Sequence, residues 1–194
     1  MIRIAEASDT GKMLAIYAEY VLSSAATFEL AVPSESEFCQ RMKDLQPDFP
    51  WLVYEKDGSV AGYAYASRTF DRAAYKWNAS LSIYISESHH GTGIAALLYE
   101  CIEEFLRVQG YYYLYAGITS SNIASLRFVE KYGFIKTAVY PSSGFKLGEW
   151  HDVIWLYKNL RVPEGTPLEP VSFGNMGVGQ VTDIIAKYNK FAPF

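Results

Sequence analysis

The residues with the clearest chemical use are His90-Gly91-Thr92-Gly93-Ile94-Ala95, where an alternating strand pattern gives way to an amphipathic helix pattern. Glycines at such a junction let the backbone come close to a ligand. The first amides of the helix lack partners within it, and the helix dipole adds positive potential there. Such a turn binds phosphate or diphosphate. No Gly-Lys-Ser/Thr follows, which excludes the nucleotide P-loop, and Gly-x-Gly-x-x-Gly is absent, which excludes the dinucleotide fingerprint. Taken alone, two glycines before a helix also describe a plain tight turn.

Other reactive side chains are less well arranged. His89 and His90 are adjacent, a poor spacing for metal ligands, and no metal is expected. His151 and Asp152 suggest a serine triad, but no nucleophile elbow supports one. Gly174 to Gly179 imitates a phosphate turn without a preceding strand and reads as flexible linker. Tyr111-Tyr112-Tyr113 reads as core and sheet surface by strand alternation, rather than as a base-stacking platform.

The elements that must position the turn follow from periodicity. Ile2 and Ile4 alternate as in a strand. Ser8 or Asp9 caps a helix carrying Met13, Tyr17, Tyr20 and Val21, and Ser34 to Glu37 forms a capping box before a second helix with Phe38, Met42 and Leu45 inward. Strands are predicted over 51–55, 60–66 and 77–86, the first two joined by the hairpin turn Asp57-Gly58. Ile94, Leu97, Leu98, Cys101, Ile102 and Phe105 mark the helix after the glycine turn, which Gly110 stops. A strand over 111–116, a helix over 122–132, and strands over 134–140 and 150–157 complete a β-α-α-β-β-β-α-β-α-β-β order. This is a mixed α/β sheet with crossover helices. Residues 1–160 read as one domain. Residues 161–194 read as a proline-bearing linker and a short helix with Val181, Ile184, Ile185 and Tyr188 on one face, which docks on the domain or on a partner subunit.

The chain has 194 residues, enough for one sizeable core, and 50% are hydrophobic, which excludes general disorder. Seventeen basic and 21 acidic residues give a net charge of −4. That balance argues against nucleic acid as a partner. Cys39 and Cys101 lie far apart, and the first residues lack a signal-peptide pattern. No apolar run reaches membrane length. A cytoplasmic protein with no membrane partner is expected.

The stretch Tyr84-Ile85-Ser86 through His89-His90-Gly91-Thr92-Gly93-Ile94-Ala95 resembles the acetyl-coenzyme A motif of the GNAT N-acetyltransferases, Gln/Arg-x-x-Gly-x-Gly/Ala after the fourth strand. Asn122 to Phe134 resembles that family's second signature. Trp51-Leu52-Val53, Arg72-Ala73-Ala74-Tyr75 and Gly144-Phe145-Lys146 through Gly148, Trp150, His151, Asp152 and Val153 resemble the phosphinothricin acetyltransferase branch. The likeness spans roughly residues 2–160 in order.

The resemblance implies a mixed, mostly antiparallel central sheet flanked by helices, and acetyl-coenzyme A (acetyl-CoA) as co-substrate. Backbone groups of Ile83, Tyr84 and Ile85 would pair with the pantetheine arm. Amides from His90, Gly91, Thr92 and Gly93 to Ile94, Ala95 and Ala96 would hold the diphosphate, and Asn122 would lie near the thiol. Phe28 and Glu29 would lie at the substrate wall. Arg72 and Tyr75 are read either as holding a substrate carboxylate, which suits a bidentate guanidinium, or, for Arg72, as a surface-loop arginine. The acceptor would be a small amine, and the assembly a homodimer.

Relatives carry a glutamate base where this chain has Ser80, and a histidine or tyrosine where it has Val129. The catalytic residues are therefore unassigned. Glu29 is either a replacement base or a solvated loop carboxylate. Three functions stay open: an N-acetyltransferase of a small amino-acid-like amine, one of peptide or protein amines, and a catalytically weak acyl-CoA-binding protein.

Overall fold

The computed structural model describes residues 1–191; the last three residues of the 161–194 segment lie outside that range. The chain runs β1 (Ile2–Ile4), α1 (Thr10–Ser23), α2 (Glu35–Leu45), β2 (Trp51–Lys56), β3 (Ser59–Arg68), β4 (Asn78–Ile85), α3 (Ile94–Gln109), β5 (Tyr113–Thr119), α4 (Ile123–Lys131), β6 (Ile135–Lys146), β7 (Glu149–Asn159) and α5 (Val178–Asn189). The strands form one sheet in the order β1-β2-β3-β4-β5-β7-β6. All neighbours are antiparallel except β4 and β5. This is the mixed sheet that the element order implied, and the mostly antiparallel pairing that the resemblance implied.

Strand alternation divides the core between the two faces of the sheet. Trp51, Val53, Val60 and Tyr63 pack against Met13, Ile16 and Tyr17 of α1 and Phe38 and Met42 of α2. Leu52, Tyr54, Ala64, Leu114 and Leu156 pack against Leu98, Ile102 and Phe105 of α3. A strand buried on both faces carries a continuous apolar run, which accounts for Trp51-Leu52-Val53-Tyr54. The capping box of α2 is formed, with Ser34 accepting from Glu37 N–H and Glu37 accepting from Ser34 N–H.

Three boundaries differ from expectation. Tyr111 N–H donates to Leu106 O and closes the end of α3, so β5 begins at Tyr113. It runs on to Thr119 through Gly117, where a Cβ would press on the Trp155 ring at 3.3 Å. β6 continues past Pro141 to Lys146 across a register shift between Tyr140 and Gly144. As an edge strand it tolerates the missing proline N–H, and Asp152 Oδ1 accepts Ser142 N–H at 2.8 Å across the bulge.

The segment after Leu160 is tied down along its length. Trp77 Nε1 donates to Leu168 O, Val171 N–H to Gln109 O, and Phe173 N–H to Asp48 O. Gly174, read as flexible linker, is instead fixed by its N–H to Pro47 O at 2.9 Å. Phe173, Met176, Ile184 and Tyr188 join the α3 core, so α5 docks on its own domain. Asn189 completes the junction: its side chain accepts from Ile2 N–H and donates to Ile2 O, occupying the open edge of β1.

Candidate active site

β4 and β5 pair only at Asn78↔Tyr113, Ala79↔Leu114 and Ser80↔Tyr115. Beyond that point β4 stays with β3 and β5 stays with β7, so a wedge opens between them. The cleft there has a volume of about 540 Å³. Leu81 to Ile85 form one wall and Ala116 to Ile118 the other. The glycine turn, the start of α3 and the residues around α4 close it. Small residues at Ala116 and Gly117 leave the wedge open.

The direction of the β4 peptide groups follows from one hydrogen bond. Ser86 N–H donates to Ala61 O, so even-numbered residues of β4 face β3 and odd-numbered ones face the wedge. Ile85 obeys this: its carbonyl accepts from the Tyr20 hydroxyl at 2.6 Å and from His90 Nε2 at 3.0 Å. The same alternation turns the peptide groups of Ile83 and Leu81 into the wedge, a strand edge suited to an extended amide chain. Of the three residues expected to offer backbone groups, Ile83 does so. Tyr84 has its own in the β3 ladder, and Ile85 has its own engaged by Tyr20 and His90.

At the mouth, Gly91 and Gly93 hold φ of +74° and +88°, and a Cβ on either would meet nothing within 4 Å. Glycine is needed there for its backbone conformation, and the space beside it is left to a ligand. Gly93 caps α3 without a side-chain bond, and no acidic residue lies in the first turn. The amides of Ile94, Ala95 and Ala96 therefore point outward into positive potential. The Thr92 hydroxyl donates to His89 O at 2.7 Å and stiffens the turn. Asn122 caps α4, accepting from Ser125 N–H at 3.1 Å, and lines the inner end of the cleft. Anion donors at one end and an open strand edge along the wedge fit a diphosphate joined to a diamide arm. Among the described residues no group of three His, Cys, Asp or Glu could hold a metal.

All eleven residues expected to contact the cofactor line this cleft. The four expected substrate residues do not line it. Phe28 packs beside His151, with ring centres 6.3 Å apart. Glu29 is paired at the surface with Arg41 of α2, Nη1 to Oε1 at 2.5 Å, and does not line the wedge. Arg72 is exposed, and Tyr75 packs against Phe70 with its ring tilted by 51°, while Phe70 in turn touches Tyr115 at the apex of the wedge. Ser80 donates to Thr69 Oγ1 at 3.0 Å, and Val129 is buried in the α3 core while lining the cleft.

Two features escaped sequence reading. Tyr20 was placed by its helical spacing, which says nothing of its hydroxyl ending β4. The segment Gly144 to His151 was noted as a motif, and the structure shows it as a clamp. Lys146 Nζ donates to Thr27 O at 2.7 Å, and burial lowers the Lys146 pKa. His151 Nε2 donates to Lys146 O at 3.0 Å. A Cβ at Gly144 would lie 2.5 Å from the Phe28 ring. The β6–β7 hairpin thus holds the loop that carries Phe28 and Glu29.

Residues 2–155 match the family model described as an acetyltransferase (GNAT) domain. The chain belongs to the GNAT acetyltransferase family. This GNAT protein is similar to phosphinothricin N-acetyltransferase of Streptomyces viridochromogenes, 31% identical over 88% of this chain and 94% of that one. It is similar to the L-amino acid N-acyltransferase MnaT of Escherichia coli, 31% identical over 89% and 99% of the two chains. Its fold superposes on the phosphinothricin acetyltransferase of Sinorhizobium meliloti, solved in complex with acetyl-CoA. That match has a TM-score of 0.84 and 30% identity, covering 91% and 97% of the two chains.

Proposed function

We propose that this GNAT protein transfers an acetyl group from acetyl-CoA to the primary amine of a small amino-acid-like compound. The observation that carries the reading is the β4–β5 wedge leading into the Gly91–Gly93 turn and the uncapped start of α3. Bound there, acetyl-CoA supplies the activated thioester. Ile83 and Leu81 hold its amide arm, the amides from Gly91 to Ala96 hold its diphosphate, and Asn122 stands beside the thiol. The acetyl group would then be presented towards the wedge apex, where β4 and β5 part after Ser80. The names of the similar proteins, acting on phosphinothricin and on L-amino acids, support a small amino-acid-like acceptor.

Ser80 and Val129 offer neither a base nor an acid of useful strength. In this reading, positioning supplies most of the rate, and water removes the amine proton. Tyr75, linked through Phe70 and Tyr115 to the apex, and Arg72 of the same turn face the substrate carboxylate. The branch assignment to phosphinothricin-type enzymes rests on the Gly144–Val153 hairpin and is part of the same proposal. So is a homodimer. The exposed apolar residues Tyr140, Phe145, Leu147 and Trp150 on the β6–β7 hairpin support it. Among the described residues no helix is long and apolar enough to cross a membrane, and we place the reaction in the cytoplasm.

Acetyl-CoA-dependent thiol release against a panel of amino acids, amines and peptides tests the reading. Release with small amino acids and not with peptides is expected. Release with peptides alone would favour the protein-amine function. Tight acetyl-CoA binding without release from any amine would favour the binding protein.

A further inference from the structure

Ser80 and Val129 leave the wedge without a base, and a second hollow on the α1–α2 face bears on where the acceptor's proton goes. It has a volume of about 300 Å³ and lies between α1, α2, β2 and β3. Tyr17, Phe38, Trp51 and Tyr65 wall it, and Glu29 and Arg41 complete its lining. The sheet register ties it to the wedge. Tyr65 sits directly opposite Ser82 in the β3–β4 ladder and is hydrogen-bonded to it. Ser82 lines the cleft two residues beyond the last β4–β5 pair. The two hydroxyls thus join the wedge to the hollow.

The bridge runs in the direction an outgoing proton needs. Burial raises the Tyr65 pKa, and the Ser82 bond opposes that rise, as a hydroxyl donating to the Tyr65 oxygen does. Tyr65 therefore keeps its proton at neutral pH and has one to pass on as it receives one. Trp51 also lines the hollow, and its Nε1–H is buried with no hydrogen-bond partner among the described residues. A water molecule in the hollow satisfies that donor, and the polar lining gives the water further partners. Beyond it stands the Glu29 carboxylate. Arg41 and Asp44 of α2, Tyr17 of α1, Tyr65 of β3, Tyr84 of β4 and Lys146 of β6 are the titratable groups around Glu29. Asp44, the other carboxylate, already accepts from Gln40 at 2.7 Å.

We propose that Ser82, Tyr65 and water in this hollow form a proton exit from the wedge to Glu29, which serves where β4 carries no base. The proposal rests on the acetyltransferase reading above. An aliphatic primary amine is an ammonium ion at neutral pH. One of its N–H bonds breaks, and the proton passes to Ser82 Oγ as Ser82 gives its own to Tyr65 Oη. The Tyr65 proton moves through water to a Glu29 carboxylate oxygen. The lone pair left on nitrogen attacks the thioester carbon and displaces the thiolate, which takes the second N–H proton. Glu29 returns its proton to solvent, so one proton is released for each ammonium acetylated. Glu29 touches no reacting atom and acts only through the two hydroxyls.

Thiol-release kinetics, with the amino acid of the panel that turns over fastest as acceptor, test this exit. Tyr65→Phe keeps the stack on Trp51, and Glu29→Gln keeps the side-chain shape at a partly exposed site. Each should lower kcat/KM for the amine about 10- to 100-fold near neutral pH, with the KM for acetyl-CoA unchanged. The loss should shrink as pH rises through the amine's own pKa, because a free amine needs no proton acceptor before attack. Formate, a carboxylate small enough for the hollow, should restore Glu29→Ala and leave Tyr65→Phe slow. A wild type that turns over while both variants match it would overturn the exit and leave the acetyltransferase reading intact. So would a loss in both variants that is the same at neutral and alkaline pH. A wild type that releases thiol with no amine would remove both.

Discussion

At Gly93 two demands meet in one residue: a left-handed φ and an open approach to the helix amides. Gly93→Asp violates both, adding backbone strain and a negative charge at the anion site. Acetyl-CoA affinity should fall at least tenfold by calorimetry, with Gly93→Ala showing the strain contribution alone. Unchanged affinity in the aspartate variant would displace the diphosphate site. Ser80 and Val129 present the opposite case, positions where a reactive group is missing. Ser80→Glu should raise turnover by about a hundredfold if amine deprotonation limits the rate. Val129→His is a harder test, because Val129 is core and added volume costs about 1–3 kcal/mol of stability. Thiol release at saturating amine, with thermal unfolding alongside, reads both effects. A wild type already fast and slowed by Ser80→Glu would mean that its proton path runs elsewhere.

Between elements, two ties can be tested. The β6–β7 hairpin holds the α1–α2 loop through Lys146 and Thr27, so Lys146→Met should loosen the loop at Phe28, while Glu29 stays tied to Arg41. The expected result is a rise of the amine KM that exceeds any rise for acetyl-CoA. On the other face, Glu103 of α3 binds Lys158 of β7 at 2.6 Å and Arg107 at 2.6 Å, and also accepts from Tyr99. Burial pushes its pKa up, but these hydrogen bonds outweigh it, and the net pKa is lowered. A carboxylate with a lowered folded pKa adds stability above its ordinary range and loses it as pH falls through the folded value. Glu103→Gln should therefore cost about 2–3 kcal/mol at pH 7 in urea unfolding and progressively less towards acid. Element identity was legible wherever a local signal acted: the α2 capping box, the Asp57-Gly58 turn and the Gly110 stop. The ends of β5 and β6 were not legible. A helix cap claims Tyr111, and an edge position excuses Pro141.

For the molecule as a whole, the C-terminal segment is structural. Truncation after Leu160 would strip Phe173, Met176, Ile184 and Tyr188 from the α3 core and uncover β1. At about 2 kcal/mol for each large apolar side chain, the loss should reach several kcal/mol. It should appear as a marked drop in Tm. Because α5 spends its apolar stripe within its own chain, the proposed homodimer would have to use the β6–β7 hairpin. The double variant Phe145→Ser and Trp150→Ser should then sediment as a monomer at concentrations where the parent does not. A parent that is monomeric when concentrated would remove the homodimer. The sequence by itself determined the element order and the glycine turn, because glycines, caps and periodicities act between near neighbours; the other cofactor residues came from the family resemblance. Only the tertiary structure decided that β4 and β5 part after Ser80, that Glu29 belongs to Arg41, and that Lys146 holds Thr27. Those outcomes depend on sheet register and on side chains far apart in the chain, and no local pattern encodes them.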